Sequence, residues 1–132
     1  MTPPVLTAFY AGLLALIYLW LTARVIRKRR GDLISHGDGD DAAFAKVIRG
    51  QANAAEQMPI IIIMLALAEM LGAPTLALHV LGVMIVVGRL LHGLHFNGMG
   101  PFIYRPIGMA LTLLVLAILA LGLVAHGATQ AF

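Results

Sequence analysis

Residues Pro4 to Ala23 read PVLTAFYAGLLALIYLWLTA, and the next seven residues read RVIRKRR. Twenty residues pass without a charge, and then Arg24, Arg27, Lys28, Arg29 and Arg30 arrive together. A helix needs about 20 mainly apolar residues to cross the hydrocarbon core of a bilayer. The stretch therefore predicts a membrane-spanning helix with its positive charge on one flank only. A cleaved secretory signal carries its positive charge ahead of the apolar run. Here the charge follows, so the span is expected to be retained.

The rest of the chain repeats the pattern. Gln57 to Ala68 is uncharged and continues past Glu69 to Leu71, with a polar-spotted stretch leading into it from Ala42. Thr75 to Gly88 is uncharged and runs past Arg89 to Phe96, and Pro106 to Phe132 has no charge at all. Gly72-Ala73-Pro74 is a tight break, and Asn97-Gly98-Met99-Gly100-Pro101 a looser one. These features predict an all-α membrane protein, a four-helix bundle forming one domain over 1–132. The spans are expected at about 4–27, 42–71, 75–97 and 105–127, with a loop at about 28–41.

Composition agrees. Of 132 residues, 61% are hydrophobic and 11% charged, against about 45–50% and about 25% in a soluble domain. A soluble protein of this length could not bury so much apolar surface. A soluble globular domain, a disordered chain and a nucleic-acid module are excluded, so no nucleic-acid partner is expected. There is no cysteine, so any thiol must come from a ligand.

Five of the nine basic residues lie between Arg24 and Arg30. Lys and Arg mark the cytoplasmic side of a membrane. The first loop is expected to be cytoplasmic, and with four spans both termini face the opposite side. Asp38, Asp40 and Asp41 lie in the same loop among Gly37 and Gly39. They lack calcium-loop spacing and a closing Glu, and read instead as a solvated turn with Asp40 or Asp41 capping the next helix.

Charges at membrane depth are costly and mark functional candidates. Arg49, Asn53 and Glu56 are spaced i, i+4, i+7, one helix face. Gln57 lies at the edge of that stripe, and Gln51 points elsewhere, toward a neighbouring helix or the rim. Arg89, His92 and Phe96 share a face of the third span, and Arg105 opens the fourth. The hairpin order brings all three sets to one depth. One reading is an ion pair between Glu56 and either Arg49 or Arg89 that locks the bundle. The other rests on three arginines meeting a single carboxylate, a surplus that calls for an anionic ligand and leaves Glu56 free to accept from one. His92 and His95 have no carboxylate-rich companions, so no metal site is expected. His79 and His126 read as interhelical or interfacial hydrogen-bonders, His95 as lying off the Arg89 face, and Glu69 as an interface residue.

The run Arg49-Gly50-Gln51-Ala52-Asn53-Ala54-Ala55-Glu56-Gln57-Met58-Pro59 resembles the MAPEG family, membrane-associated proteins in eicosanoid and glutathione metabolism. Its members include microsomal glutathione transferases and leukotriene C4 synthase. Gly88-Arg89-Leu90-Leu91-His92, Phe96 and Arg105 resemble the family's third and fourth helices, and the likeness covers about residues 5–125. It implies a homotrimer in a bacterial inner membrane. It also implies glutathione as co-substrate, bound between subunits on the cytoplasmic side. By motif position, Arg49, Gln51, Asn53, Glu56, Arg89, His92 and Phe96 would bind glutathione. Glu56 would meet its amino end and Arg49 a carboxylate. Arg105 would be catalytic, holding the thiol as thiolate, and Arg24 or Arg27 would reach in from a neighbouring subunit. The implied activity is that of a glutathione-dependent transferase or peroxidase acting on lipophilic small molecules.

Gln57, His92 and Phe96 stand where better-known members often carry Tyr. Pro106 follows Arg105 where prostaglandin E synthase-like members have Ser, which argues against isomerase chemistry. Two other readings fit the composition. A small proton-coupled transporter would use Glu56 as its coupling carboxylate. A non-catalytic binding or scaffold protein would keep the fold alone.

Overall fold

The structure is a computed structural model, and it describes residues 3–131. Met1, Thr2 and Phe132, included in the expected domain, lie outside the described residues. Four helices run in chain order: α1 (Val5–Gly31), α2 (Ala42–Met70), α3 (Thr75–Phe96) and α4 (Tyr104–Ala131). All four are long and apolar enough to cross a bilayer. They form the bundle of an integral membrane protein.

Two helices outrun their expected spans. α1 continues through Arg27–Arg30 to Gly31, because Arg and Lys are good helix formers and their charges suit the negative C-terminal end of the helix. α4 begins at Tyr104 and continues to Ala131, with no Pro beyond Pro106 to stop it. A helix end and a membrane boundary are different things.

α2 packs on the other three helices, α3 also on α1 and α4; among the described residues α1 and α4 do not touch. The α2–α3 hairpin is thus the middle layer. Tyr10, Leu14, Ile17 and Leu21 form the buried stripe of α1, at i, i+4, i+7 and i+11. They meet Ile61 and Leu65 of α2 and Leu78, Leu81 and Ile85 of α3 in one apolar core, which Val115 and Leu119 of α4 extend. Leu16, Leu19, Leu121 and Val124 point outward, as lipid-facing residues do. Helices in lipid gain little from the hydrophobic effect and rely on close backbone approach. Gly88 and Gly108 provide it: a Cβ on Gly108 would lie 2.5 Å from the Gly88 carbonyl oxygen.

Pro4 offers α1 no side-chain cap. Glu69, one residue before the end of α2, supplies one from across the bundle. Its Oε1 accepts from the Leu6 backbone N–H at 2.9 Å, and its Oε2 from the Thr7 N–H and hydroxyl, both at 2.7 Å. Glu69 is therefore a cap within the chain and not merely an interface residue. A carboxylate suits this place, because the N-terminus of a helix carries partial positive charge and unsatisfied N–H groups. Nearby, the Tyr10 hydroxyl and His79 Nδ1 are hydrogen-bonded at 2.8 Å, the interhelical role expected of His79.

At the opposite end Asp41, not Asp40, caps α2, accepting from the N–H groups of Ala43 and Phe44. It also pairs with Lys28 of α1 at 3.0 Å. The Phe44 backbone hydrogen bond and the Lys28 ammonium hold its carboxyl below the ordinary carboxylate value. That stabilisation is present at neutral pH and is lost as pH falls through the lowered value. Asp40 instead takes a left-handed backbone, φ +61°, which Asp tolerates better than most residues.

Two outcomes follow for thermal unfolding in detergent. Glu69→Ala removes the cap of α1 and should cost about 1–2 kcal/mol. Gly108→Ala should cost about 1–3 kcal/mol by pushing α4 off α3, while Gly122→Ala, which meets nothing within 4 Å, should leave the transition unchanged.

Candidate functional site

The polar residues of three helices meet at the end of the bundle that carries the α1–α2 loop. A cavity of about 290 Å³ is lined there by Lys46, Arg49 and Asn53 of α2, His92, His95 and Phe96 of α3, and Arg105 and Met109 of α4. Five residues singled out from sequence lie on its wall: Arg49, Asn53, His92, Phe96 and Arg105. Gln51, Glu56 and Arg89 do not.

Each exception has a partner. Gln51 turns to α1, where its Nε2 donates to the Tyr18 hydroxyl at 2.8 Å, in keeping with its expected direction. Glu56 is paired with Arg49: Nη1 reaches Oε1 at 3.1 Å and Nη2 reaches Oε2 at 3.4 Å. The expectation of a free Glu56 is thus corrected. Two helical turns bring the carboxylate within reach of the long guanidinium, and both side chains are at least half exposed. Between Arg49 and Arg89, the carboxylate pairs with Arg49.

Arg89 lies behind the cavity wall, 1% exposed. Its Nη2 donates to Asn53 Oδ1 at 3.0 Å and approaches His92 Nδ1 at 3.4 Å. Its Nε and Nη1 have no partner in the structure, and no carboxylate pairs with it among the described residues. A guanidinium only donates, so His92 Nδ1 is the acceptor and the ring proton belongs on Nε2. Arg89 thereby orients both Asn53 and His92, two residues of the cavity wall. Asn53 is itself 7% exposed. The i, i+4, i+7 stripe of α2 is divided in effect: Asn53 faces the bundle, while Arg49 and Glu56 face outward.

Phe96 organises the rest. Its ring stacks on His92 with centroids 4.5 Å apart, and the Arg105 guanidinium lies over its face at 5.8 Å. A cation is attracted to the electron-rich face of an aromatic ring, so Phe96 holds Arg105 without neutralising it. Gly50 lets this ring approach α2, since a Cβ at position 50 would lie 2.5 Å from the Cβ of Phe96. The glycine of the Arg-Gly-Gln run is required by this contact.

Three wall residues were not picked out from sequence: Lys46, His95 and Met109. Lys46 stands at i−3 from Arg49 and i−7 from Asn53, so helical spacing held the signal. His95, taken to lie off the Arg89 face, is 7% exposed and packs edge-on against Phe96 and Phe102. A wall shared by three helices accepts residues from both flanks of one face, which a single-helix projection does not reveal. The wall therefore carries Lys46, Arg49 and Arg105, and its one nearby carboxylate is spent on Arg49. Among the described residues no group of three or more His, Asp or Glu is placed to hold a metal ion. The Nε of Arg24 donates to Asn97 Oδ1 at 3.1 Å.

The sequence that folds into this bundle matches the model of a known family. The profile of the MAPEG family covers residues 7–125, and the chain belongs to that family. Among curated proteins it is similar to the inner membrane protein YecN of Escherichia coli K12, with 34% identity over 117 residues and 87% of each chain covered. YecN of Escherichia coli O6:H1 (strain CFT073) matches to the same extent.

The pairing of Arg89 is open to test. Asn53→Ala leaves the longer contact with His92 Nδ1 as the acceptor of a buried guanidinium and should cost about 1–3 kcal/mol in thermal unfolding. Glu56→Ala breaks an exposed pair and should cost less than about 1 kcal/mol. Equal losses would remove the distinction drawn between the two.

Proposed function

We propose that the protein is a glutathione-dependent transferase or peroxidase that acts on lipophilic electrophiles reaching it from the bilayer. The observation that carries this reading is the cavity wall, where Lys46, Arg49 and Arg105 stand with no carboxylate to spare. An anionic ligand fits it. Glutathione offers two carboxylates and an ammonium, and a guanidinium is a planar two-point donor to a carboxylate. On this reading Arg49 takes one carboxylate of glutathione and Glu56 exchanges its exposed partner for the ligand's ammonium. Asn53 and His92 donate from positions that Arg89 holds, and Phe96 packs against the peptide. Gln51 faces α1 and away from this wall, so it would join the site across a contact between subunits. A homotrimer with thiol sites between its subunits, as in the family resemblance, meets that need.

Arg105 is the proposed catalytic residue. A free thiol has a pKa of about 8.5, and an adjacent guanidinium favours the thiolate. Arg105 also lines a second cavity, of about 310 Å³, with Phe102, Pro106 and Met109. The electrophile would lie on that apolar side, and the thiolate would attack it from the cationic side. The sulfur–carbon bond forms as the leaving group departs with its electron pair. The protein contributes position and charge.

We place the chain in a bacterial inner membrane, as the name of its relative, the inner membrane protein YecN, supports, with its α1–α2 loop in the cytoplasm and both termini opposite. The basic residues of that loop support this orientation. A proton-coupled transporter using Glu56 is less favoured, because the exposed pair with Arg49 leaves that carboxylate charge-balanced.

In detergent, glutathione should raise the melting temperature of the purified protein. Arg105→Ala should keep that shift and lower conjugation of glutathione to chlorodinitrobenzene at least tenfold, whereas Glu56→Ala should weaken the shift. Undiminished turnover in the Arg105 variant would end the catalytic assignment. A protein that glutathione does not stabilise would end the reading as a whole.

A further inference from the structure

One imidazole in the wall of the thiol cavity has no task in the chemistry described so far. His95 is 7% exposed and lines the cavity with Arg49, Asn53, His92 and Arg105. Its Nδ1 is buried and has no hydrogen-bond partner. Buried polar side chains are nearly always paired, so an unpaired one beside a cavity calls for a group that the cavity receives.

Activating a thiol requires a group that takes its proton. Arg105 favours the thiolate by charge, but a guanidinium only donates and cannot receive what sulfur gives up. Lys46 and Arg49 are cations too. The amide of Asn53 is not a base, and its Oδ1 accepts from Arg89. His92 accepts from Arg89 at Nδ1 and carries its own proton on Nε2, so it has no free lone pair. Glu56 is off the wall and paired with Arg49. His95 alone remains. Among the described residues no hydrogen bond fixes its tautomer, so its ring can present a lone pair to the cavity.

Its position suits the task. His95 packs edge-on against Phe96 with ring centroids 5.4 Å apart, and the Arg105 guanidinium lies over the face of the same ring. His95 also meets Phe102, at 5.8 Å, which lines the second cavity with Arg105. The imidazole and the guanidinium thus share one aromatic neighbour where the two cavities adjoin. The charged groups that line the cavity with His95 are Lys46 and Arg49 of α2 and Arg105 of α4, with Arg89 of α3 behind the wall, and no residue of α1 lines it. A proton passed from sulfur to His95 leaves the net charge of this cationic cavity unchanged.

We propose that His95 is the general base of the thiol site, a role that rests on the glutathione reading of this cavity. The S–H bond breaks, the imidazole takes the proton in a new N–H bond, and the electron pair stays on sulfur beside Arg105. When a halide then leaves the electrophile, the imidazolium gives that proton to water and is restored. A positioned acid or base contributes about 10²–10⁴-fold to the rate of such a step.

Thiolate formation is followed by its ultraviolet absorbance after rapid mixing of the purified protein with glutathione in detergent, with no electrophile present. H95Q keeps a polar side chain without its basicity, and H95A removes the ring. Both should form thiolate at least tenfold more slowly than the parent protein at neutral pH. In both the rate should climb with pH, since hydroxide then takes the proton. Added imidazole should restore the rate in H95A, whose missing ring leaves room for it, and not in H95Q. If H95A loses its melting transition, the slowed rate of H95Q and its rise with pH carry the test. A variant as fast as the parent would overturn the proposal. So would slowing of both variants that imidazole does not correct in a folded H95A, which marks a structural role. A parent protein that glutathione does not stabilise ends the glutathione reading itself, whereas fast thiolate formation in H95Q ends only the assignment of His95.

Discussion

The interaction on which the site depends is the hydrogen bond from Arg89 to Asn53. A guanidinium that is 1% exposed, with no carboxylate beside it, is a costly thing to bury. It is tolerated because Asn53 and His92 offer it acceptors from two positions in the middle of the bundle. In return it fixes their orientation. Two residues of the cavity wall are thus held by a charge one layer behind it.

Similar economy runs through the rest of the chain. Polar groups that face lipid or protein must be answered by another helix, since no water is at hand. Glu69 of α2 answers the N-terminus of α1. Tyr10 of α1 and His79 of α3 answer one another. Gln51 of α2 answers Tyr18 of α1. At the loop end, Asp41 closes α2 and draws in Lys28. With so many polar groups satisfied within the chain, those left without a counter-charge stand out. Among the residues that line the cavities they are Arg105 and Lys46 in one, and Arg24 and Arg27 in another.

Much of this was legible in sequence. Uncharged runs of helical length mark the four spans, because hydropathy and length decide insertion almost alone. The depth shared by Arg49, Arg89 and Arg105 follows from hairpin order. The partner of Glu56 was not legible, because helical spacing allows Arg49 as readily as a neighbouring helix. Nor was the role of Glu69, whose three hydrogen bonds span more than sixty residues of chain. Lys46 keeps the spacing of Arg49 and Asn53, and His95, off the Arg89 face of its own helix, joins the wall beside His92 and Phe96.

The sequence by itself determined that this protein lives in a membrane, how many times it crosses, and which few charges sit at a shared depth. Those properties depend on composition and on the regular rise and turn of a helix, both local to the chain. The tertiary structure decided which of those charges are spent and which are free. Pairing is a matter of a few ångströms between helices, and it rests on contacts such as Phe96 against Gly50 and Gly88 against Gly108. Only when the helices are packed does Glu56 close on Arg49, Arg89 withdraw behind Asn53, and Arg105 remain over the Phe96 ring with its charge unanswered.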